Sequence, residues 1–351
     1  PIVKMEVENT LRAPGLGEEG PRRSPRTPKP LRHPDFVYLS HDRAIPIDYK
    51  EAVSCIDNIK WIEAMERELD SIRSNETWIL TERPRNTKII KNRWVFKLKE
   101  TDQEPIFKAR LVVKGFMQQD DGIETFSPVV RYDTIRSVLA VASQENMVIR
   151  KFDVKTAFLN GHLKEDVFME QPDGFNDGSG RVCKLYKSLY GLKQAPRCWG
   201  ERIRSYLEQE GLLSGEADPC MFVKRTANNI LILLLYVDDG LVVATDNKTA
   251  DEFLMKLEKE FEITKCTNVN SFLGFEMKRI NNKEIGICQS KYISKLVTDF
   301  RLDGAKSLSY PIRQGWDNVD SKLFENNRVY REIVGSLIYV AGISRPDISF
   351  A

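Results

Sequence analysis

Hydrophobic residues recur along this chain at two spacings, and these spacings predict where helices and strands lie. Trp61, Met65, Leu69 and Ile72 follow a helical period and predict an amphipathic helix that ends near Asn75. Three more segments have the same period. Their core-facing residues are Ile135, Val138, Leu139 and Ala142, then Trp199, Ile203 and Leu207, and finally Phe253, Leu257 and Phe261.

The ends of two of these helices carry recognisable signals. Asp133 or Thr134 is expected to cap the first, because short polar side chains satisfy the free N–H groups at a helix start. Pro196 is expected to begin the second, and Gly211 to end it.

Alternating residues predict strands elsewhere. Residues 93–99 (Arg-Trp-Val-Phe-Lys-Leu-Lys) and 107–114 (Phe-Lys-Ala-Arg-Leu-Val-Val-Lys) flank a polar turn at 101–105, which predicts a basic β-hairpin. Helices and strands are mixed without a regular βαβ repeat. The pattern therefore favours an α+β fold with a mainly antiparallel sheet.

One predicted hairpin carries two adjacent carboxylates. Residues 230–235 and 241–245 are apolar runs, and Asp238 and Asp239 lie between them, at the expected hairpin tip. Two like charges this close repel each other, and a divalent cation is their natural counter-charge. An Asp-Gly pair is also a common turn sequence, so the pair alone does not identify a site.

A third carboxylate follows another predicted strand. Within the segment Val148–Phe158, Asp153 follows an apolar-leaning strand and precedes a short Thr-Ala-Phe sequence, so it is expected at a strand end. A lone Asp there often serves as a helix cap or turn residue. Carboxylates at the ends of neighbouring strands are also what a two-metal phosphoryl-transfer centre requires. Oxygen ligands without histidine suit Mg²⁺ or Mn²⁺ better than zinc.

Composition sets outer limits on these possibilities. The chain has 351 residues, 41% hydrophobic and 30% charged, which is typical of a globular protein with one large or two medium domains. Its net charge of +2 does not by itself indicate a nucleic-acid partner. The six cysteines form no Cys-x-x-Cys pair, which argues against a zinc site or a disulfide framework. No segment has the pattern of a membrane span, so no membrane partner is expected.

The N-terminal segment differs from the rest. Between Gly20 and Pro34 it has five prolines, five Lys or Arg residues and no acidic residue. Such a composition cannot bury a core, so residues 1–47 are expected to be a disordered basic linker. Order is expected from about Asp48.

Several motifs in their order along the chain resemble the reverse transcriptases of copia-type LTR retrotransposons. The motifs are Trp94–Lys97, Lys108–Val112, Phe152–Gly161, Leu189–Arg197, Tyr236–Asp239, Phe272–Glu276 and the segment Val334–Ile348. The resemblance covers the chain from about Trp61 to its C-terminus. It implies an RNA-directed DNA polymerase with the right-hand arrangement of fingers, antiparallel palm and thumb.

The resemblance assigns roles around the three aspartates. Asp153 and Asp238 are implied as the main ligands of two Mg²⁺ ions, with Mn²⁺ as an alternative, assisted by the Val154 carbonyl. Asp239 lies beside them with a smaller role. Lys265, expected in the loop before residues 272–276, is implied as the proton donor to the leaving pyrophosphate.

It also implies contacts to the nucleotide and the primer. Lys99 and Arg110 would contact the triphosphate, although Glu100 stands where related polymerases have a second basic residue. Lys97 and Lys108 are expected to be solvated. The implied nucleotide pocket contains Tyr190, Gly191, Gln194 and, as an aromatic gate against the ribose 2′-hydroxyl, Phe158. The implied primer grip contains Phe272, Leu273, Gly274 and Phe275.

The nucleotide-pocket residues also fit ordinary structural roles. Phe158 fits a core position, and Tyr190 and Gln194 fit a turn and a helix cap.

The expected domains are the linker (1–47), the polymerase (48–320) and the start of a connection segment (321–351), with RNase H absent. Expected partners are an RNA or DNA template with its primer, dNTPs, and the integrase and RNase H domains of a parent polyprotein. The expected location is the cytoplasm, in virus-like particles if the element is active, with the nucleus as an alternative. Two other functions fit the motifs less fully: a catalytically silent nucleic-acid-binding relic and another Mg²⁺-dependent phosphotransferase.

Overall fold

The structure is a computed structural model, and it describes residues 45–99, 104–118, 122, 124–306 and 327–350. Residues 1–44 of the expected linker and most of the turn at 101–105 lie outside the described residues. Seven α-helices are described: α1 Tyr49–Ser54, α2 Asn58–Ser74, α3 Tyr132–Gln144, α4 Ala195–Gln209, α5 Asn247–Glu260, α6 Ser290–Asp299 and α7 Asn327–Ile343.

Fifteen strands are described, many of them short. They are β1 Trp78–Thr81, β2 Ile89–Ile90, β3 Asn92–Lys99, β4 Ile106–Val113, β5 Val148–Val154, β6 His162–Met169, β7 Val182–Lys187, β8 Leu213–Ser214, β9 Met221–Arg225, β10 Ile230–Tyr236, β11 Asp239–Ala244, β12 Ile263–Cys266, β13 Ser271–Phe272, β14 Phe275–Asn281 and β15 Glu284–Cys288. Two 3₁₀ turns are used below, Gly115–Met117 and Ala157–Asn160.

The central element is a six-stranded antiparallel sheet in the order β12-β5-β11-β10-β9-β8. A four-stranded sheet (β1-β7-β6-β2), a three-stranded sheet (β13-β14-β15) and the hairpin β3-β4 accompany it. Among the described strands only the β2–β6 pairing is parallel. The prediction of an α+β fold with mainly antiparallel sheets is confirmed.

The two faces of the central sheet belong to two different cores. Because side chains alternate along a strand, Phe152 and Val242 face a core that includes Trp199 of α4 and Leu257 of α5. Their neighbours on the opposite face share a core with α3, β13, β14 and α7. A third core joins α2 to the β3–β4 hairpin, where Trp61 contacts the ring of Phe107 with centroids 4.6 Å apart.

The predicted helices are confirmed, with corrections at their ends. Helix α3 begins after Arg131, so Asp133 and Thr134 lie inside its first turn and neither caps it. A carboxylate from a distant turn does this instead, since Asp218 accepts hydrogen bonds from the Arg131 N–H at 2.9 Å and the Thr134 hydroxyl at 2.7 Å. In α5, Phe261 is buried but lies after the helix, in extended backbone.

No helix in the described part of the chain combines the length and the apolar character needed to cross a bilayer.

Candidate active site

The turn between β10 and β11 places two carboxylates at the edge of the central sheet. Tyr236 pairs with Asp239, so the two residues of the turn are Val237 and Asp238. The expectation that both aspartates occupy the tip is therefore wrong for Asp239, which is the first residue of β11. Gly240 follows within the strand, where an added Cβ would lie 2.1 Å from the ring of Phe152. Glycine is needed there for packing and not for the turn.

This turn has an unusual backbone conformation. Val237 has φ = 56°, in the left-handed region that β-branched residues rarely adopt. Two contacts hold it: the indole N–H of Trp199 donates to the Val237 carbonyl at 2.7 Å, and the Val154 N–H donates to the Asp238 carbonyl at 2.9 Å. Strain of this kind persists only where the surrounding structure fixes it, and it is common at active sites.

Asp153 and Asp239 lie directly opposite each other in the β5–β11 ladder. Directly opposed side chains share one face, with Cβ atoms about 4.5–5.5 Å apart. Lys151, two residues earlier on β5, is on the same face, and its Nζ lies 2.9 Å from a carboxylate oxygen of Asp239. The same Nζ lies 5.8 Å from the centroid of the Phe272 ring. Asp239 is therefore paired with a lysine, whereas neither Asp153 nor Asp238 forms an ion pair within the described residues.

The pKa values of the two remaining carboxyl groups, those of Asp153 and Asp238, are both raised. Burial, followed by the charges of Asp238 and Asp239, raises the pKa of Asp153 above its ordinary value. Burial is also the main cause that raises the pKa of Asp238, with Asp239 adding to it and Arg110 opposing it. A nearby cation would stabilise the ionised form of both carboxyl groups.

Within the described residues, no group of three or more His, Cys, Asp or Glu side chains is arranged closely enough to hold a metal ion as it stands. The pairing of Asp239 with Lys151 is consistent with this finding. The oxygen donors brought together are those of Asp153 and Asp238, and such donors fit Mg²⁺ or Mn²⁺.

The β3–β4 hairpin presents a cationic face to these aspartates. Lys97 pairs with Lys108 across the hairpin, and Lys99 and Arg110 are on the same face by strand alternation. Burial lowers the pKa of Lys108, the charges of Arg110 and Lys99 lower it further, and Asp153 acts in the opposite direction. Lys108 is exposed on the hairpin, as expected, and also lies within electrostatic reach of Asp153. Lys99 is exposed at the end of β3.

Two backbone segments touch where the hairpin meets the Leu189–Arg197 motif. The Val113 N–H donates to the Tyr190 carbonyl at 2.7 Å. A Cβ on Gly191, which has φ = +91°, would lie 2.1 Å from the Val113 carbonyl oxygen, and a Cβ on Gly115 would lie 2.0 Å from the Gly191 oxygen. No residue with a side chain fits at either glycine without moving the hairpin base.

Gln194 occupies the N-cap position of α4, as its structural alternative predicts, but its side chain makes no capping hydrogen bond. Its side chain is buried, and its Oε1 accepts a hydrogen bond from Gln118 at 2.9 Å. Its Nε2 has no hydrogen-bond partner among the described residues. A buried donor therefore remains available at this position.

Phe158 is half-buried in the Ala157–Asn160 turn and contacts two of the cores. Its ring packs edge-to-face against Tyr190, with centroids 5.0 Å apart. The structure therefore brings Phe158 together with Tyr190, and the strand that precedes its turn contacts Asp238 through the Val154 N–H.

The segment expected to grip the primer forms the β13–β14 hairpin, with Leu273 and Gly274 at its turn. Phe272 and Phe275 are buried in the core shared with α3. The Tyr339 hydroxyl of α7 donates to the Leu273 carbonyl at 2.8 Å, which fixes the turn. The exposed part of this segment is therefore its turn rather than its two aromatic rings.

Lys265 is not brought together with the aspartates. It lies in β12 and not in a loop, so the expected placement is wrong. It pairs with Phe152, which faces the core of α4 and α5, whereas Asp153 faces the other side of the sheet. Its Nζ lies 2.6 Å from Glu258 of α5.

Comparison with known proteins identifies the family of this chain. Residues 75–314 match the family model described as reverse transcriptase (RNA-dependent DNA polymerase), which is more than half of the chain. The chain belongs to the reverse transcriptase family.

The similar proteins are polyproteins of transposons. The reverse transcriptase chain is 38% identical over 333 residues to the retrovirus-related Pol polyprotein from transposon TNT 1-94 of Nicotiana tabacum, covering 90% of this chain and 25% of that protein. It is 36% identical over 314 residues to the corresponding polyprotein from transposon RE1 of Arabidopsis thaliana, covering 86% and 21%. It is 35% identical over 332 residues to the polyprotein from transposon RE2 of the same plant, covering 92% of this chain and 23% of that protein. The resemblance to copia-type elements is confirmed, and the chain spans a quarter or less of each of these three polyproteins.

Three residues of this reverse transcriptase were not singled out from sequence as site residues. Lys151 could have been found, because it precedes Asp153 by two and so shares its strand face. Trp199 was recognised only as a core residue. Glu68, which contacts Arg110, had no signal in the sequence beyond its place on an amphipathic helix.

Proposed function

We propose that this chain is an RNA-directed DNA polymerase that transfers deoxynucleotides from dNTPs onto the 3′-hydroxyl of a primer. The observation that carries the proposal is the meeting of two groups: the Asp153–Asp238 pair at the edge of the central sheet and the cationic face of the β3–β4 hairpin, linked electrostatically through Lys108 and Arg110. Nucleotidyl transfer needs one group to hold cations and the other to hold phosphates.

In this proposal Asp153 and Asp238 hold two Mg²⁺ or Mn²⁺ ions, assisted by the Val154 carbonyl. Two such ions supply a lowered pKa at the attacking hydroxyl and neutralise charge on the leaving pyrophosphate. The raised pKa values of both carboxyls are the observation that fits a cation there. Asp239 supports the site through its contact with Lys151 and contributes less to coordination.

The hairpin residues bind the triphosphate, with Arg110 as the main contact and Lys99 and Lys108 as supporting charges. Arginine suits this role because its planar guanidinium donates to two phosphate oxygens at once. Tyr190 and Gly191 form the nucleotide pocket, and Gln194 contributes its unpaired Nε2 donor. Phe158 closes the pocket on the ribose side.

The regions of a right-hand polymerase follow from these roles. The β3–β4 hairpin with α2 forms the fingers, the central sheet with α3, α4 and α5 the palm, and the segment from α6 onward the thumb, within residues 48–320. Residues 321–351 begin a connection segment. The partners are a primed RNA or DNA template and, because the relatives are Pol polyproteins, the integrase and RNase H of a parent polyprotein.

The proposal is tested by primer extension on poly(rA)/oligo(dT) with and without Mg²⁺. Asp153→Asn and Asp238→Asn should each abolish extension, because each removes a ligand charge, while Asp239→Asn should retain a measurable rate. Asp246→Asn is the matched control, since Asp246 caps α5 and asparagine caps equally well. Extension at the unaltered rate by either of the first two variants would contradict the site.

A further inference from the structure

A buried carboxylate lies beside the proposed triphosphate-binding arginine. Glu68 of α2 has only 3% of its side chain exposed, and its Oε2 lies 3.0 Å from Nη1 of Arg110. Its Oε1 accepts a hydrogen bond from the Leu111 N–H at 3.3 Å. Burial raises the pKa of Glu68 in spite of the opposing effect of Arg110. A buried carboxylate is costly, and a buried ion pair is weak evidence of a role in stability.

Arg110 is held from two directions. Its edge faces Glu68, and its guanidinium carbon lies 5.0 Å from the centroid of the Tyr190 ring. The side chain nevertheless remains 38% exposed. An arginine has five N–H donors, and within the described residues the side chain of Arg110 uses only Nη1 in a hydrogen bond. The donors that remain free are therefore fixed in direction.

Glu68 also fixes the strand that carries Arg110. Within the described structure β4 pairs only with β3, so one of its edges has no strand neighbour. The contact with the Leu111 N–H satisfies a donor on β4 and attaches it to α2. The Glu68 carboxylate thus positions both the backbone of β4 at Leu111 and the guanidinium of Arg110.

We infer that Glu68 is a positioning residue for nucleotide binding: it holds one end of the Arg110 guanidinium so that the remaining N–H groups face the triphosphate of the incoming dNTP. The inference rests on the proposed function, in which Arg110 binds that triphosphate. Holding a flexible side chain before binding removes the cost of ordering it during binding. Loss of Glu68 should therefore weaken nucleotide binding and leave the chemistry at the aspartates intact.

The experiment compares Glu68→Gln with Asp70→Asn in the full chain. Both substitutions remove one negative charge from α2, but Asp70 forms an exposed pair with Arg73. Single-nucleotide incorporation of dTTP on poly(rA)/oligo(dT) is measured together with the melting temperature. Glu68→Gln should raise the KM for dTTP by about tenfold, the size expected for one immobilised side chain, with kcat within about twofold. Asp70→Asn should change neither constant.

A second comparison covers the case in which Glu68→Gln does not fold, because it leaves Arg110 without its partner. Arg110→Gln is then compared with Glu68→Gln/Arg110→Gln, in which no charge is left unpaired. If Glu68 acts through Arg110, the two should have the same KM for dTTP. A higher KM in the double variant would overturn the inference.

Three results separate the possibilities. A KM for Glu68→Gln equal to that of Asp70→Asn, with extension by the unaltered chain, would overturn this inference alone. A fall in kcat that accompanies a lower melting temperature, at constant KM, would assign Glu68 a structural role and also overturn it. Absence of extension by the unaltered chain would overturn the proposed function and this inference with it.

Discussion

The anchoring of the Val237–Asp238 turn by Trp199 can be tested with Trp199→Phe. The substitution keeps an aromatic ring against Phe261, whose centroid is 5.3 Å away, and removes the donor to the Val237 carbonyl. A part-buried acceptor that loses its donor costs about 1–3 kcal/mol. For a chain of this size, each kcal/mol lowers the melting temperature by about 1–2 °C.

The same loss should affect catalysis more than stability. The left-handed conformation of Val237 costs about 1–3 kcal/mol, and without its anchor the turn should relax. Since about 1.4 kcal/mol corresponds to a factor of ten, kcat should fall by about ten- to a hundredfold as Asp238 leaves its position. The KM for dNTP should change little, because the hairpin residues are untouched.

Trp94→Phe is the matched control for this prediction. Trp94 is equally buried, and its indole N–H donates to the backbone carbonyl of Asp173 at 3.0 Å. It has no hydrogen bond to the Val237–Asp238 turn. The melting temperature of Trp94→Phe should fall by about as much as that of Trp199→Phe, while its kcat should stay unchanged. Thermal melts and primer extension measure the two quantities. If both variants lose kcat in proportion to their loss of stability, the anchoring argument is refuted.

Two further predictions concern the pocket and the aspartates. Phe158→Ala should raise the kcat/KM for ribonucleotides relative to deoxyribonucleotides, since space opens beside Tyr190, and a stable variant with an unchanged ratio would remove Phe158 from the gate. Burial and neighbouring charges raise the pKa of Asp153 in the folded chain, so the folded state favours the neutral carboxyl, and the stability of the unaltered chain falls as pH rises through that raised pKa. In EDTA at neutral pH, Asp153→Asn should therefore have a higher melting temperature than the unaltered chain. Below the ordinary pKa of an aspartate, the two melting temperatures should be equal. Equal melting temperatures at neutral pH would contradict the raised pKa of Asp153.

Local patterns were sufficient for much of the fold. The period of Trp61 and Leu69 identified α2, and alternation identified the β3–β4 hairpin, because both depend only on residues close in sequence. The aspartates were found because charged residues at the ends of apolar strands are conspicuous. Their membership of one site came from the resemblance to a family and is supported by the register of β5 with β11.

The errors arose where a distant segment decides a local feature. Asp218 caps α3 from another part of the chain, so the local candidates Asp133 and Thr134 were wrong. The face of Lys265 depends on the register of β12 with β5, which no local pattern contains. The contact between Glu68 and Arg110 spans 42 residues, and neither position indicates the other.

The glycine contact between Gly115 and Gly191 has a consequence for movement. The base of the β3–β4 hairpin is fixed to the Leu189–Arg197 segment at two points: this contact and the Val113–Tyr190 hydrogen bond of 2.7 Å. Helix α2 packs along the same hairpin, with Trp61 against Phe107 near the other end of β4 and Glu68 against Arg110. Closure of this hairpin over a nucleotide would therefore move the hairpin and α2 together, as one body that turns about the glycine contact at the base.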